Sequence, residues 1–64
     1  MKIRIFKNSC KNVSRLCEDV SEIYDCIMAI TNDNHDEASN VQGWSDIACI
    51  GEIYEGENFT AICE

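Results

Sequence analysis

The chain has 64 residues, of which 45% are hydrophobic, and a formal net charge of −7 at pH 7. This hydrophobic content argues against disorder, the length predicts one domain, and no apolar run reaches the roughly 18 residues that a membrane span needs. The first seven residues alternate apolar and basic side chains instead of forming the apolar segment of a signal peptide. We therefore expect a cytoplasmic protein.

The charges are divided along the chain. All five basic residues lie within the first fifteen positions, and all twelve acidic residues follow from Glu18 onward. Such a field repels nucleic acid and attracts basic patches on other proteins, so direct binding of nucleic acid is not expected. The alternative is that the acidic residues only keep the protein in solution.

The N-terminal half predicts a strand followed by a long helix. Residues 2–7 alternate in the manner of a strand. From residue 10 to residue 31, apolar side chains recur at steps of three and four without a Pro or Gly, which predicts a helix over 10–31. The apolar face of this helix would consist of Val13, Leu16, Cys17, Val20, Ile23, Tyr24, Ile27 and Ile30.

The C-terminal half predicts a second helix and a hairpin. Asn34, followed three residues later by Glu37, resembles a capping box, and we expect the helix to cover 35–49. Strands at 52–54 and 59–63 flank a short turn. The order strand, helix, helix, strand, strand predicts an α+β fold, with a helical hairpin on one face of a three-stranded sheet. The second helix places Ala38, Val41, Trp44, Ile47 and Ala48 at helical spacing.

The residues predict no enzyme. His35 is the only histidine, and a nucleophilic Ser or Cys needs a base positioned beside it. The five cysteines are odd in number and form no Cys-x-x-Cys pair, so neither a disulfide framework nor a zinc site is expected. We predict no metal and no cofactor. A redox- or metal-responsive module that uses these cysteines is an alternative.

The acidic side chains are the strongest functional signal, because rows of carboxylates can imitate phosphates and occupy a basic nucleic-acid groove on a partner protein. A short, compact, strongly acidic chain without a catalytic set resembles small phage and mobile-element inhibitors, such as DNA mimics and anti-CRISPR proteins. This likeness is one of type and involves no motif. It implies a non-enzymatic inhibitor that binds a nucleic-acid-handling protein. The expected contact residues are Glu18, Glu22, Asp25, Asp33, Asp36, Glu37, Glu52, Glu55 and Glu57.

The predicted fold leaves the second face of the sheet without a helix. Phe6, Tyr54 and Ile62 are expected on that face, among polar and charged residues. An apolar group of this kind is typical of a binding or dimer surface. The alternative function is therefore a homodimeric structural or regulatory domain.

Overall fold

The computed structural model describes residues 1–64. The four strands form one antiparallel sheet in the order β2-β1-β4-β3, so the two hairpins lie side by side and β2 and β3 are the edges. Along the chain the elements are β1 (Ile3–Lys7), β2 (Ser14–Cys17), α1 (Val20–Ile30), α2 (His35–Ile47), β3 (Ile53–Glu55) and β4 (Phe59–Cys63).

The α+β class with two helices is confirmed, but the sheet has four strands where three were predicted, and the order is β-β-α-α-β-β. The helix predicted over 10–31 is wrong over residues 10–19, nearly half of its length. Ser14–Cys17 is a strand that pairs with β1, and α1 begins only at Val20. The second helix begins at His35 as predicted and ends at Ile47, shortly before the predicted end.

A local capping interaction explains where α1 begins. The Asp19 carboxylate accepts a hydrogen bond from the Glu22 backbone N–H at 2.9 Å. The Glu22 carboxylate in turn accepts one from the Glu18 backbone N–H at 3.3 Å. These bonds resemble a capping box, which satisfies N–H groups that have no partner within the helix. A longer helix would have placed Lys11 and Arg15 in its first turns, where the helix dipole disfavours positive charge.

The connection between the helices is short and well defined. Thr31 ends α1, and Asn32 and Asp33 follow with φ of 58° and 67°, the left-handed conformation that Asn and Asp tolerate. Asn34 caps α2 by accepting a hydrogen bond from the Glu37 backbone N–H at 3.1 Å, as predicted. Neither helix has the length and apolar content that crossing a membrane requires.

The hydrophobic core lies between the helices and one face of the sheet. The central strands β1 and β4 bury every second side chain, and α1 and α2 cover these side chains from above. The opposite face of the sheet is open. The buried apolar side chains are Ile3, Ile5, Cys17, Ile23, Cys26, Ile27, Ala38, Val41, Phe59, Ala61 and Cys63.

The register of β3 places Tyr54 on the covered face. Tyr54 lies opposite Ala61, whose side chain is buried. Its ring stacks on Phe59 with a centroid distance of 6.1 Å and an interplanar angle of 11°. It also contacts Trp44 of α2 at a centroid distance of 5.7 Å. The prediction that Tyr54 belongs to the open face is therefore wrong, because the pairing with β4 turns it towards the helices.

Candidate functional site

The strand order converts the charge asymmetry of the sequence into an asymmetry of the folded protein. Residues 1–17, which include both strands of the first hairpin, contain all five basic residues and no acid. Residues 33–57, which include α2 and β3, contain seven acids and no Lys or Arg. The edge strands β2 and β3 are roughly 14 Å apart, given strand spacings of about 4.8 Å. We call the β2 edge the basic side and the β3 edge the acidic side.

The acids predicted on the first helix do not form a free row. Glu22 is engaged with the Glu18 backbone N–H, and Asp19 accepts hydrogen bonds from the Ser21 hydroxyl and the Glu22 N–H. These bonds lower the pKa of Asp19. Asp25 is exposed, and its carboxylate has no hydrogen bond or ion pair. Of the three predicted acids, only Glu22 therefore uses its carboxylate to start α1, together with Asp19, which was not predicted, whereas Glu18 and Asp25 are exposed.

The acids of the inter-helix turn lie at the other end of α1. Asp33 is in the connection, and Asp36 and Glu37 are in the first turn of α2, where the helix dipole favours negative charge. Burial raises the pKa of Tyr54, and the charge of Glu37 raises it further. Glu37 is therefore close to β3. The turn belongs with the acidic side and lies roughly 16 Å from the α1 cap, by helix rise.

Three isoleucines are exposed where α2 joins β3. Ile47 at the end of α2 is 79% exposed, Ile50 is 84% exposed, and Ile53 at the start of β3 is 57% exposed. Consecutive members are three residues apart, so even a fully extended chain keeps neighbours within about 10 Å. We call Asp46–Glu55 the isoleucine segment.

A tight turn presents Ile50 at the tip of this segment. The Glu52 backbone N–H donates to the Cys49 carbonyl at 2.9 Å, and Gly51 has a φ of 95°, which fits a type II turn. The Glu52 carboxylate accepts a hydrogen bond from the Cys49 N–H at 3.1 Å. The Gly51 N–H donates to the Cys63 carbonyl at 2.7 Å, which ties the turn to β4. The apolar tip is therefore held on an ordered backbone.

Carboxylates flank the isoleucines. Asp46 precedes Ile47, and Glu52 and Glu55 lie on either side of Ile53. All three acids are exposed. Asp46 and Glu55 form no ion pair within the protein, whose single salt bridge lies elsewhere. Glu57, in the turn that follows β3, is also exposed. Apolar side chains surrounded by polar ones are typical of a protein-binding surface.

Sequence reasoning placed Ile47 with the apolar face of the second helix. Ile47 lies nine residues after Ala38, which at about 100° per residue is half a turn away. Since Ala38 and Val41 face the core, Ile47 faces solvent. This rotation angle is the signal that would have separated it from the core positions. The exposure of Ile50 depends on the turn and has no comparable signal.

The cysteines are all free, and no group of three or more His, Cys, Asp or Glu side chains could hold a metal ion. Cys17, Cys26 and Cys63 are buried, whereas Cys10 and Cys49 are exposed. Burial raises the pKa of Cys17 to about 11 and also raises that of Cys26. These two thiols are therefore protonated at neutral pH, which makes them poor nucleophiles.

The open face of the sheet is a second candidate surface. Phe6 and Ile62 lie on it, both half-buried, together with Leu16. The Arg4 guanidinium pairs with the Glu64 carboxylate across this face, with Nε and Oε2 2.6 Å apart. The ion pair interrupts the apolar surface of this face. Ile53 is paired with Ile62 in the sheet, so the isoleucine segment reaches the open face at β3.

No protein-family model, curated protein or solved structure matches this chain. The isoleucine segment combines exposed apolar groups, free carboxylates and an ordered backbone, and it is the strongest candidate.

Proposed function

We propose that this protein is a non-enzymatic protein-binding module whose isoleucine segment docks into an apolar groove bordered by Lys and Arg on a partner. The main support is the exposure of three isoleucines on an ordered turn. Burying one such side chain contributes roughly 1.5–3 kcal/mol. Three exposed isoleucines within seven residues therefore provide a substantial driving force for association, and a few buried anchors commonly dominate binding energy.

The negative charge of the acidic side favours a positively charged partner surface. Its seven acids have no basic neighbour in the same part of the chain. Complementary charge accelerates encounter and selects against wrong partners. Basic surfaces of this kind occur on proteins that bind nucleic acid. We therefore propose a nucleic-acid-handling protein as the partner, and inhibition by occupation of its nucleic-acid-binding surface.

The apolar anchors are tested by a variant that combines Ile47→Ser, Ile50→Ser and Ile53→Thr. A partner is first captured from host-cell lysate at low salt and identified by mass spectrometry. The variant is expected to bind the purified partner with a Kd at least about 100-fold higher than that of the wild type, since losing each anchor costs more than 1 kcal/mol. Val13→Ser is the matched control, because Val13 is 68% exposed on the basic side. Equal binding by the triple variant and the wild type would refute the assignment of the segment.

The charge of the partner surface is tested separately. Asp46→Lys combined with Glu55→Lys should weaken binding most at low salt, where electrostatic attraction is least screened. Asp25→Lys is the control, since Asp25 is an exposed acid on α1. Excess duplex DNA should displace the protein from its partner. A complex that survives this competition would contradict the proposed nucleic-acid surface while leaving the isoleucine contact intact.

A further inference from the structure

A cavity of about 290 Å³ lies between the β1–β2 hairpin and α1. Ile5, Cys26 and Ile30 provide apolar walls, and the exposed Val13 lines it from the hairpin loop. The volume is close to the lower end of the range of roughly 300–1,000 Å³ that small-molecule sites occupy. The cavity belongs to the basic side and is separate from the isoleucine segment.

Two cationic side chains line this cavity. Lys7 and Arg15 are both exposed, and neither belongs to the single ion pair of the protein. No acidic residue lines the cavity. A more polar depression beside it shares Lys7 and includes Glu57. Arg15 is therefore the cation that is better placed to attract an anion.

Arg15 and Cys26 line the same cavity. Burial raises the pKa of the Cys26 thiol, and the positive charge of Arg15 is the largest influence in the opposite direction. The guanidinium is therefore close to an apolar wall of the cavity. Arg15 is also paired with Ile5 in the sheet, so the same strand register brings both residues to the cavity.

We propose that this cavity binds a small carboxylate with an unbranched apolar body, of the medium-chain fatty acid class. The chain lies along Val13 and Ile30, above the buried Ile5, and the carboxylate accepts hydrogen bonds from Arg15 and Lys7. Charge-assisted hydrogen bonds of this kind are roughly twice as strong as neutral ones. This site is independent of the proposed protein-binding function.

Two exposed cysteines provide an internal comparison for the test. Cys10 lines the cavity, whereas Cys49 lies in the isoleucine segment and is not part of the cavity. The full chain is treated with a limiting amount of an alkylating reagent, with and without octanoate, and each site is followed by mass spectrometry. Octanoate at ten times its Kd is expected to slow alkylation of Cys10 by about tenfold, by mass action. The alkylation of Cys49 should not change.

Matched ligands and variants separate the apolar and ionic parts of the site. Octanol and octylamine have the same chain without the carboxylate, so their Kd should be at least about tenfold higher and the same concentration should slow alkylation of Cys10 at most about twofold. Arg15→Gln should raise the Kd for octanoate about tenfold, so the same octanoate concentration slows alkylation of Cys10 only about twofold; Lys7→Gln should raise the Kd less, and Lys11→Gln should leave it unchanged. Lys11 is a basic residue of the same hairpin that does not line the cavity.

Three results would overturn the proposal. The first is unchanged alkylation of Cys10 in the presence of octanoate. The second is equal slowing at Cys10 and Cys49, which indicates a general effect of an amphiphile. The third is equal protection by octanol and octanoate, which shows that the cations do not contribute. Since all three substituted basic residues are exposed, the variants are expected to fold, and circular dichroism checks this.

Discussion

The acidic side and the basic side, at the β3 and β2 edges of the sheet, are packed in different ways. On the acidic side, the Phe59 ring stacks on Tyr54, and Tyr54 contacts Trp44, so three aromatic rings connect β4, β3 and α2. On the basic side, the small side chains of Cys17 and Cys26 meet between β2 and α1, and a cavity of about 290 Å³ remains beside them. Aromatic side chains bury roughly 150–250 Å² each. The acidic side is therefore a firm support for the isoleucine segment, whereas the basic side keeps room for a ligand.

The largest effect on stability is expected from removing the Phe59 ring, on which Tyr54 of the acidic side stacks. Phe59 is fully buried, so Phe59→Ala should cost about 3–5 kcal/mol. That is comparable with the whole stability of a domain of this size, so the variant should lack a cooperative unfolding transition. Phe6→Ala deletes the same ring from the basic hairpin, where Phe6 is only half-buried, and should cost about 1 kcal/mol.

Urea unfolding followed by the fluorescence of Trp44 measures both variants, since Trp44 is the single tryptophan. Far-UV circular dichroism provides a second probe. It does not depend on the packing around Trp44, whose ring contacts Tyr54. Similar losses from the two Phe→Ala substitutions would contradict the stronger packing of the acidic side.

The basic side is also where sequence reasoning failed. Val13, Leu16, Cys17 and Val20 satisfy helical spacing, while a strand of four residues is too short to show a clear alternation. The pairing of β2 with β1 is a tertiary contact, and tertiary contacts override local propensity. The capping pattern that begins at Asp19 was a local signal for the start of α1.

The elements that were predicted correctly are those with strong local signals. Asn34 caps α2, and the alternation of Phe59, Ala61 and Cys63 marks β4 as half-buried. The face of Tyr54 was not predictable, because three residues do not establish a register. The cavity was also beyond local reasoning, since it exists only when Arg15 folds back beside β1.

A moderate effect is expected from alkaline pH on the basic side. Burial raises the pKa of Cys17 from 9.0 to about 11, so the folded protein favours the protonated thiol. The stability that this thiol contributes is present below pH 9.0 and is lost as the pH rises through about 11. Cys17→Ala is expected to be less stable than the wild type near neutral pH and to lose less stability across this window.

Urea midpoints between about pH 8 and pH 11.5 test this window, because that range spans the shift of the Cys17 pKa from 9.0 to about 11. Cys10→Ala is the matched control, because Cys10 is exposed and its removal should leave the pH dependence of the wild type unchanged. Parallel pH profiles for Cys17→Ala and the wild type would show that the buried thiol is not responsible for the alkaline loss.

The smallest effect is expected from the one ion pair, which joins the two sides. Arg4 in β1 contacts the carboxylate of Glu64 through Nε at 2.6 Å and through Nη2 at 3.2 Å. This pairing lowers the pKa of Glu64. Its contribution to stability is therefore present above the ordinary pKa of a glutamate and is lost as the pH falls through the lower folded-state value. Because the pair is exposed, water and salt screen it strongly.

Glu64→Gln is therefore expected to lower the urea midpoint slightly at pH 7, and the difference from the wild type should close below about pH 4 and in about 1 M salt. Glu57→Gln, which removes an exposed acid outside this ion pair, is the control and should show no such closing difference. A difference that persists in acid would mean that Glu64 contributes through packing. A small effect is expected because the two sides are already joined by the β1–β4 pairing of five residue pairs, which the substitution leaves in place.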